Sequence, residues 1–198
     1  MVVPENVYQE YHNLLEKVHS RIMSIKIDMN NTTLRKKWGR AIAAYDCLDD
    51  AIEAILEYDT LGEKSYKARR PILYYYGILQ AFSLQIDALK QLQQFFYGNQ
   101  KVELKRNKVN VADIRNDIVH SCNKIGKESC FIAKCNNMPI GSLNYGIYEE
   151  DKSFTEKNID LRNICLTQVQ SICDVMNDFL SIPNEQTFFY KEYVCTKS

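Results

Sequence analysis

Apolar residues recur three and four apart along most of this chain, the spacing that gathers them into one stripe on an α-helix. Residues 5 to 25 carry Val7, Tyr11, Leu14, Leu15, Val18 and Ile22 at that period. A second helix is expected from about 34 to 58, capped by Thr33, with Trp38, Ile42, Tyr45, Leu48, Ile52, Ile55 and Leu56 in register. Asp59 to Ser65 contains a Gly and reads as a turn. A third helix spans Tyr66 to Tyr97, with Pro71 as an alternative first turn and Gly98-Asn99 as the stop. Asn110, with Asp113 three residues on, announces a shorter fourth helix from Val111 to Cys122. A last helix runs from about Ile159 to Ser181 and ends at Pro183.

Between the fourth and fifth helices the pattern changes. Ser129 to Cys135 and Ser142 to Tyr148 are rich in β-formers and flank Asn136-Asn137-Met138-Pro139-Ile140-Gly141, which predicts a β-hairpin. Two strands alone are marginal and must lie on the helices. The fold class expected is therefore all-α: a bundle of about five helices with a small β-hairpin insertion at about 128–149. No linker or repeat divides residues 1–198, so one domain is expected, with an aromatic-rich tail from about 184 to 198 that can pack on the body.

Charge and cysteine content narrow the function classes. Twenty-five basic residues balance 25 acidic ones, so there is no molecule-wide basic field of the kind that coats nucleic acid or an anionic membrane. Any nucleic-acid contact must be local. The start lacks a basic segment followed by an apolar one, and no run approaches a membrane span, which predicts a cytoplasmic chain with no membrane partner. Seven scattered cysteines, several at apolar helix positions, fit free thiols in a reducing compartment.

The fourth helix carries the chemistry. On a helical wheel Asp113, Asn116, Asp117 and His120 share one arc, Ile114, Ile118 and Cys122 lie opposite, and Arg115 sits on the flank of the apolar side. A guanidinium there wants an interface or an anion, because burying it without partners is costly. Asn116 and His120 are four apart, so the amide can orient the imidazole. The plainer alternative is a surface ion pair and a solvated ring.

The string Ile114-Arg115-Asn116-Asp117-Ile118-Val119-His120 resembles the R-x(4-6)-H motif of the HEPN superfamily, in which a polar residue commonly follows the Arg and the motif lies on a helix of an all-α bundle. The order of long helices, motif helix and closing helix is similar as well. The resemblance implies a metal-independent endoribonuclease of toxin, phage-defence or stress-response type. It also implies a homodimer that joins two motif helices, an RNA substrate, no cofactor, and an antitoxin or regulatory protein as a further partner. Arg115 is then expected to bind phosphate and stabilise transition-state charge, His120 to transfer protons, and Asn116 to orient His120 or the substrate. The alternative within the family is a non-catalytic dimeric module that binds nucleotide, RNA or a protein. In HEPN toxins silenced by nucleotidyltransferases a Tyr often stands two positions after the motif His. Here Cys122 does, so that form of regulation is not carried over.

Other clusters are weaker candidates. Lys105, Arg106 and Lys108, just before the motif helix, are the expected RNA-binding residues; Lys101, Arg35-Lys36-Lys37 with Arg40, and Lys67 with Arg69-Arg70 are further basic groups that more simply form solvated faces. Asp87, Gln80, Ser83 and Gln91 share the more polar side of the third helix and can face a cleft. His120, Cys122, Cys130 and Cys135 match no usual zinc spacing, so no metal is expected. His12 and His19 are expected at the surface. Tyr74, Tyr75 and Tyr76 point three ways on a helix, which suits packing better than base stacking.

Overall fold

The computed structural model describes residues 3–67, 71–99, 101, 103–104, 106, 111–119, 128–132, 141–149 and 154–194, with backbone only for 59–67, 71–73, 119, 128–132 and 148–149. Five helices of 20, 36, 27, 9 and 21 residues make up more than half of the 198-residue chain: α1 (Glu5–Ser24), α2 (Thr32–Lys67), α3 (Pro71–Tyr97), α4 (Val111–Val119) and α5 (Leu161–Ser181). The protein is a helical bundle with a small antiparallel sheet between α4 and α5, as the periodicity predicts.

The helix limits have local causes. Asn31, not Thr33, caps α2: its Oδ1 accepts from the backbone N–H groups of Thr33 and Leu34, both at 3.1 Å. Pro71 opens α3, where its missing N–H costs nothing. Gly98, at φ 78°, closes α3 and donates to the Gln94 carbonyl at 3.1 Å. Asp160 caps α5 by accepting from Asn163 N–H at 3.1 Å. The expected turn at Asp59–Ser65 is helix instead, since α2 continues to Lys67. One Gly at position 62 costs a helix only about 1 kcal/mol, too little to stop it. The Asn110 cap and the hairpin loop at residues 136–140 fall outside the described residues.

The sheet has the order β1-β2-β3, with β1 (Glu128–Ile132), β2 (Ser142–Glu149) and β3 (Phe154–Asp160). β1 and β2 form the expected hairpin pair, with Cys130 opposite Ile147. β3 extends it, pairing Tyr145 with Lys157, over a stretch where a helix start was expected at Ile159. On β2, Leu143, Tyr145 and Ile147 share one face and are buried against the helices. Almost all of β3 is exposed, and its charged side chains discourage further strand pairing. Tyr75 of α3 donates to the Ser142 carbonyl at 3.0 Å, and Leu161 N–H donates to the Gly141 carbonyl at 2.7 Å, fastening the start of β2 to the bundle.

One continuous apolar core takes residues from every helix and from β2. Inside it lies a short polar chain. The Gln168 amide donates to Gln85 Oε1 at 2.9 Å and to the Phe82 carbonyl at 3.2 Å, while Tyr11 donates to the Leu48 carbonyl at 2.9 Å. Gln168 and Gln85 are fully buried. Gln168→Leu strips partners from both acceptors, so it is expected to cost about 1–3 kcal/mol of stability, read from the shift of the urea midpoint.

The tail packs on the body. Phe189 is 2% exposed and stacks on Phe95 with ring centres 4.5 Å apart. Arg21 of α1 joins the tail to α5, donating to the Phe179 carbonyl at 2.6 Å and to Asn184 Oδ1 at 2.7 Å, and its guanidinium carbon lies 5.4 Å from the centre of the Phe96 ring. A cation on the last carbonyls of α5 is favourable both as a hydrogen bond and toward the helix dipole.

Candidate active site

Helix α4 lies against α3 and approaches β1, docked by Val111, Ile114 and Ile118, which are all buried. That stripe leaves Asp113 exposed and Arg115 and Asn116 partly exposed. Arg115 finds its interface on α3: its Nε donates to Gln80 Oε1 at 3.2 Å. Gln80 belongs to the polar side of α3 that the sequence marked as able to face a cleft. Among the described residues only Nε of this guanidinium is engaged, which leaves both amino groups for an anion.

Asp117 shares the arc of Asp113 and Asn116, yet it is only 9% exposed, because the sheet covers it. Tyr145 of β2 donates to Asp117 Oδ2 at 3.3 Å, and Lys157 Nζ of β3 stands 3.5 Å from the same oxygen. The Lys157 ammonium also sits 5.6 Å from the centre of the Tyr145 ring. The insertion therefore grips the motif helix through one carboxylate. Neither partner was legible as functional, since β3 carries no apolar alternation and Tyr145 reads as core.

His120 follows α4 directly and lies outside the described residues, as do Lys105, Lys108, Cys122 and Cys135, and the Cys130 side chain. Of the expected RNA-binding residues only Arg106 is described, and its fork is occupied. Nε donates to Asp174 Oδ2 at 2.7 Å and Nη2 to Asp174 Oδ1 at 2.8 Å, an arrangement that raises the Arg106 pKa above its ordinary value. Its backbone N–H donates to Ser171 Oγ at 3.2 Å. Arg106 thus ties the segment before α4 to α5. Asp87 pairs with Lys90 at 2.8 Å on the surface of α3. His12 lies 3.5 Å from both Asp49 and Glu53, and His19 stacks on Tyr45, so both rings are partly covered rather than bare. Of the three consecutive tyrosines, Tyr75 is buried and Tyr76 is exposed.

No group of three or more His, Cys, Asp or Glu side chains among the described residues is arranged to hold a metal ion. The described thiols are poor nucleophiles. Cys165 and Cys173 are buried, and burial, reinforced by Glu10 and Asp174, pushes the Cys173 thiol up to about 12. Cys173 is expected to resist iodoacetamide at pH 8 in the native protein and to react once urea unfolds it, as peptide mapping would read. An unfolded thiol ionises near pH 9 while the folded one does not, so this group favours folding fully below about pH 9 and that contribution declines as pH rises toward 12.

No protein-family model, curated protein or solved structure matches this chain. Among the described residues no helix is long and apolar enough to cross a membrane.

Proposed function

We propose that this protein is a HEPN-type, metal-independent endoribonuclease that acts in the cytoplasm as a homodimer, in a toxin, phage-defence or stress-response role. The observation that carries the reading is Arg115. It is partly buried on a helix that leads directly into His120, anchored through Nε to Gln80, with its amino groups available to a phosphate. Cleavage of RNA through its own 2′-hydroxyl forms a bond from that oxygen to phosphorus and breaks the bond to the 5′-oxygen, leaving a 2′,3′-cyclic phosphate. One imidazole takes the 2′-hydroxyl proton and a second gives a proton to the leaving oxygen. Arg115 neutralises charge that builds on the phosphoryl oxygens, and Asn116 orients His120 or the substrate.

A single chain offers one motif, so the reading requires two copies with their motif helices together. A groove of about 390 Å³ beside Gln80 supports this: Ala43, Ala54, Gly77, Ala81 and Leu84 give it an apolar floor, with Asp46 and Asp50 at its edge, and Leu84 is 41% exposed. Sedimentation is expected to give a dimer at micromolar concentration that Leu84→Glu shifts toward monomer. The function itself is tested by incubating purified protein with RNA in EDTA and identifying the new ends. The second reading, a dimeric module that binds nucleotide, RNA or a protein without cutting, draws on the neutral net charge and the occupied fork of Arg106. An antitoxin or regulatory protein is the further partner on either reading.

A further inference from the structure

The stretch from Met29 to Tyr45 has no acidic residue and carries Arg35, Lys36, Lys37 and Arg40, a basic cluster that the reaction above does not use. Its last two cations border a cleft of about 160 Å³ between α2, the end of α3 and the tail. The cleft combines three kinds of group. Lys37 and Arg40 supply positive charge, Gln91 and Gln94 supply amide donors and acceptors, and Phe188 and Tyr193 supply ring surfaces with Phe95 and Phe189 behind them. Arg40 and the two amides have no hydrogen-bond partner among the described residues, whereas Lys37 donates to the Tyr193 hydroxyl and stands 4.3 Å from the centre of that ring.

The aromatic wall is fixed by the backbone. Gly98, at φ 78°, has no Cβ, and one placed there would meet the Phe188 ring within 3 Å. The Phe188 and Tyr193 rings meet edge to face at 6.2 Å. The tail holding Tyr193 is a π-helical turn, Tyr190–Val194. A volume of 160 Å³ suits one six-membered ring, since cavities of about 150 Å³ accept benzene.

The site is separate from Arg115. Gln91 follows Gln80 by three helical turns, about 16 Å along α3. The exposed carboxylates of Asp46 and Asp50, and that of Asp87 paired with Lys90, lie along the surface between them. The cleft, at about 160 Å³, holds one ring and not a strand, so its occupant is a small molecule. We propose that this cleft binds a small aromatic anion, a single planar ring that bears a phosphate or carboxylate. The ring lies against Phe188 and Tyr193, the anionic group meets Arg40 and Lys37, and the glutamine amides read the ring's polar edge.

Calorimetry on the full chain tests this with phenyl phosphate, benzoate, inorganic phosphate and phenol. Phenyl phosphate or benzoate is expected to bind at least about tenfold more tightly than inorganic phosphate or phenol, because only they engage both walls. Arg40→Gln and Phe188→Leu are each expected to weaken that ligand about tenfold, with the melting temperature of Arg40→Gln unchanged because its side chain is exposed. Arg115→Ala should leave the affinity unaltered, which keeps this result independent of RNA cleavage. The proposal is overturned if neither aromatic anion outbinds inorganic phosphate, or if Arg40→Gln binds as the parent does.

Discussion

His120→Ala and Arg115→Ala are each expected to lower RNA cleavage in EDTA by a factor on the order of 100 or more while the fold survives. His120→Ala removes the proton carrier from both halves of a two-fold site at once. Arg115→Ala removes the charge that meets the phosphoryl oxygens, and its only engaged atom among the described residues is the Nε bonded to Gln80, so little packing goes with it. Arg115→Lys keeps the charge but loses the planar fork and the Nε donor, so it should restore little activity. Asn116→Ala should do less harm, because an orienting amide is not a proton carrier. DNA and 2′-O-methyl RNA lack the nucleophile and should not be cut. Electrophoresis with end-group analysis reads all of these. Parent protein that cuts nothing in EDTA, with alanine variants that unfold or lose the dimer, makes both residues structural and leaves the binding module as the reading.

The helices were legible because each buries one stripe against a common core, and that demand writes itself into spacing at 3.6 residues per turn. Val7, Tyr11, Leu14, Leu15, Val18 and Ile22, read from periodicity alone, are all buried in α1. What the spacing missed were decisions made by neighbours. β3 is a strand because β2 offers it a ladder, not because its own Phe-Thr-Glu-Lys-Asn-Ile-Asp alternates. Thr33 and Asn31 are both good caps, and one residue separates them; where the chain enters α2 decides between them. Position 62 looks like a turn only if a single Gly is given more weight than its cost.

The candidate site divides the same way. That Arg115 needs an interface followed from its place on the wheel, and Gln80 was on the face marked as polar. The burial of Asp117 was not legible because a wheel knows only its own helix. Once the sheet is laid against α4, Asp117 alone of that arc enters an interface, with one phenol and one ammonium. Arg106 likewise reads as a free cation beside the motif until α5 brings Asp174 to it. Residues that act across elements distant in sequence leave no local spacing to read.

Tyr145→Ala is therefore expected to have a large effect from outside the motif. The ring is 1% exposed, among the largest fully buried side chains, and removing an aromatic from such a site costs about 3–5 kcal/mol. The same truncation removes the hydroxyl that reaches Asp117 at 3.3 Å and the ring face beneath Lys157, so the sheet loses its grip on α4. Tyr145→Phe separates the two losses. It keeps the packed ring and deletes one hydrogen bond, at about 1 kcal/mol, and Asp117 keeps Lys157, 45% exposed, as a screened partner. Urea unfolding is expected to order the proteins parent, Phe, Ala. RNA cleavage per folded molecule should fall in the same order, because Arg115 and Asn116 ride on the helix that Tyr145 helps to hold. Cleavage that stays at the parent level in the folded fraction of Tyr145→Ala would show that the bundle alone positions the motif, through Val111, Ile114 and Ile118 against α3, and that the sheet serves another purpose.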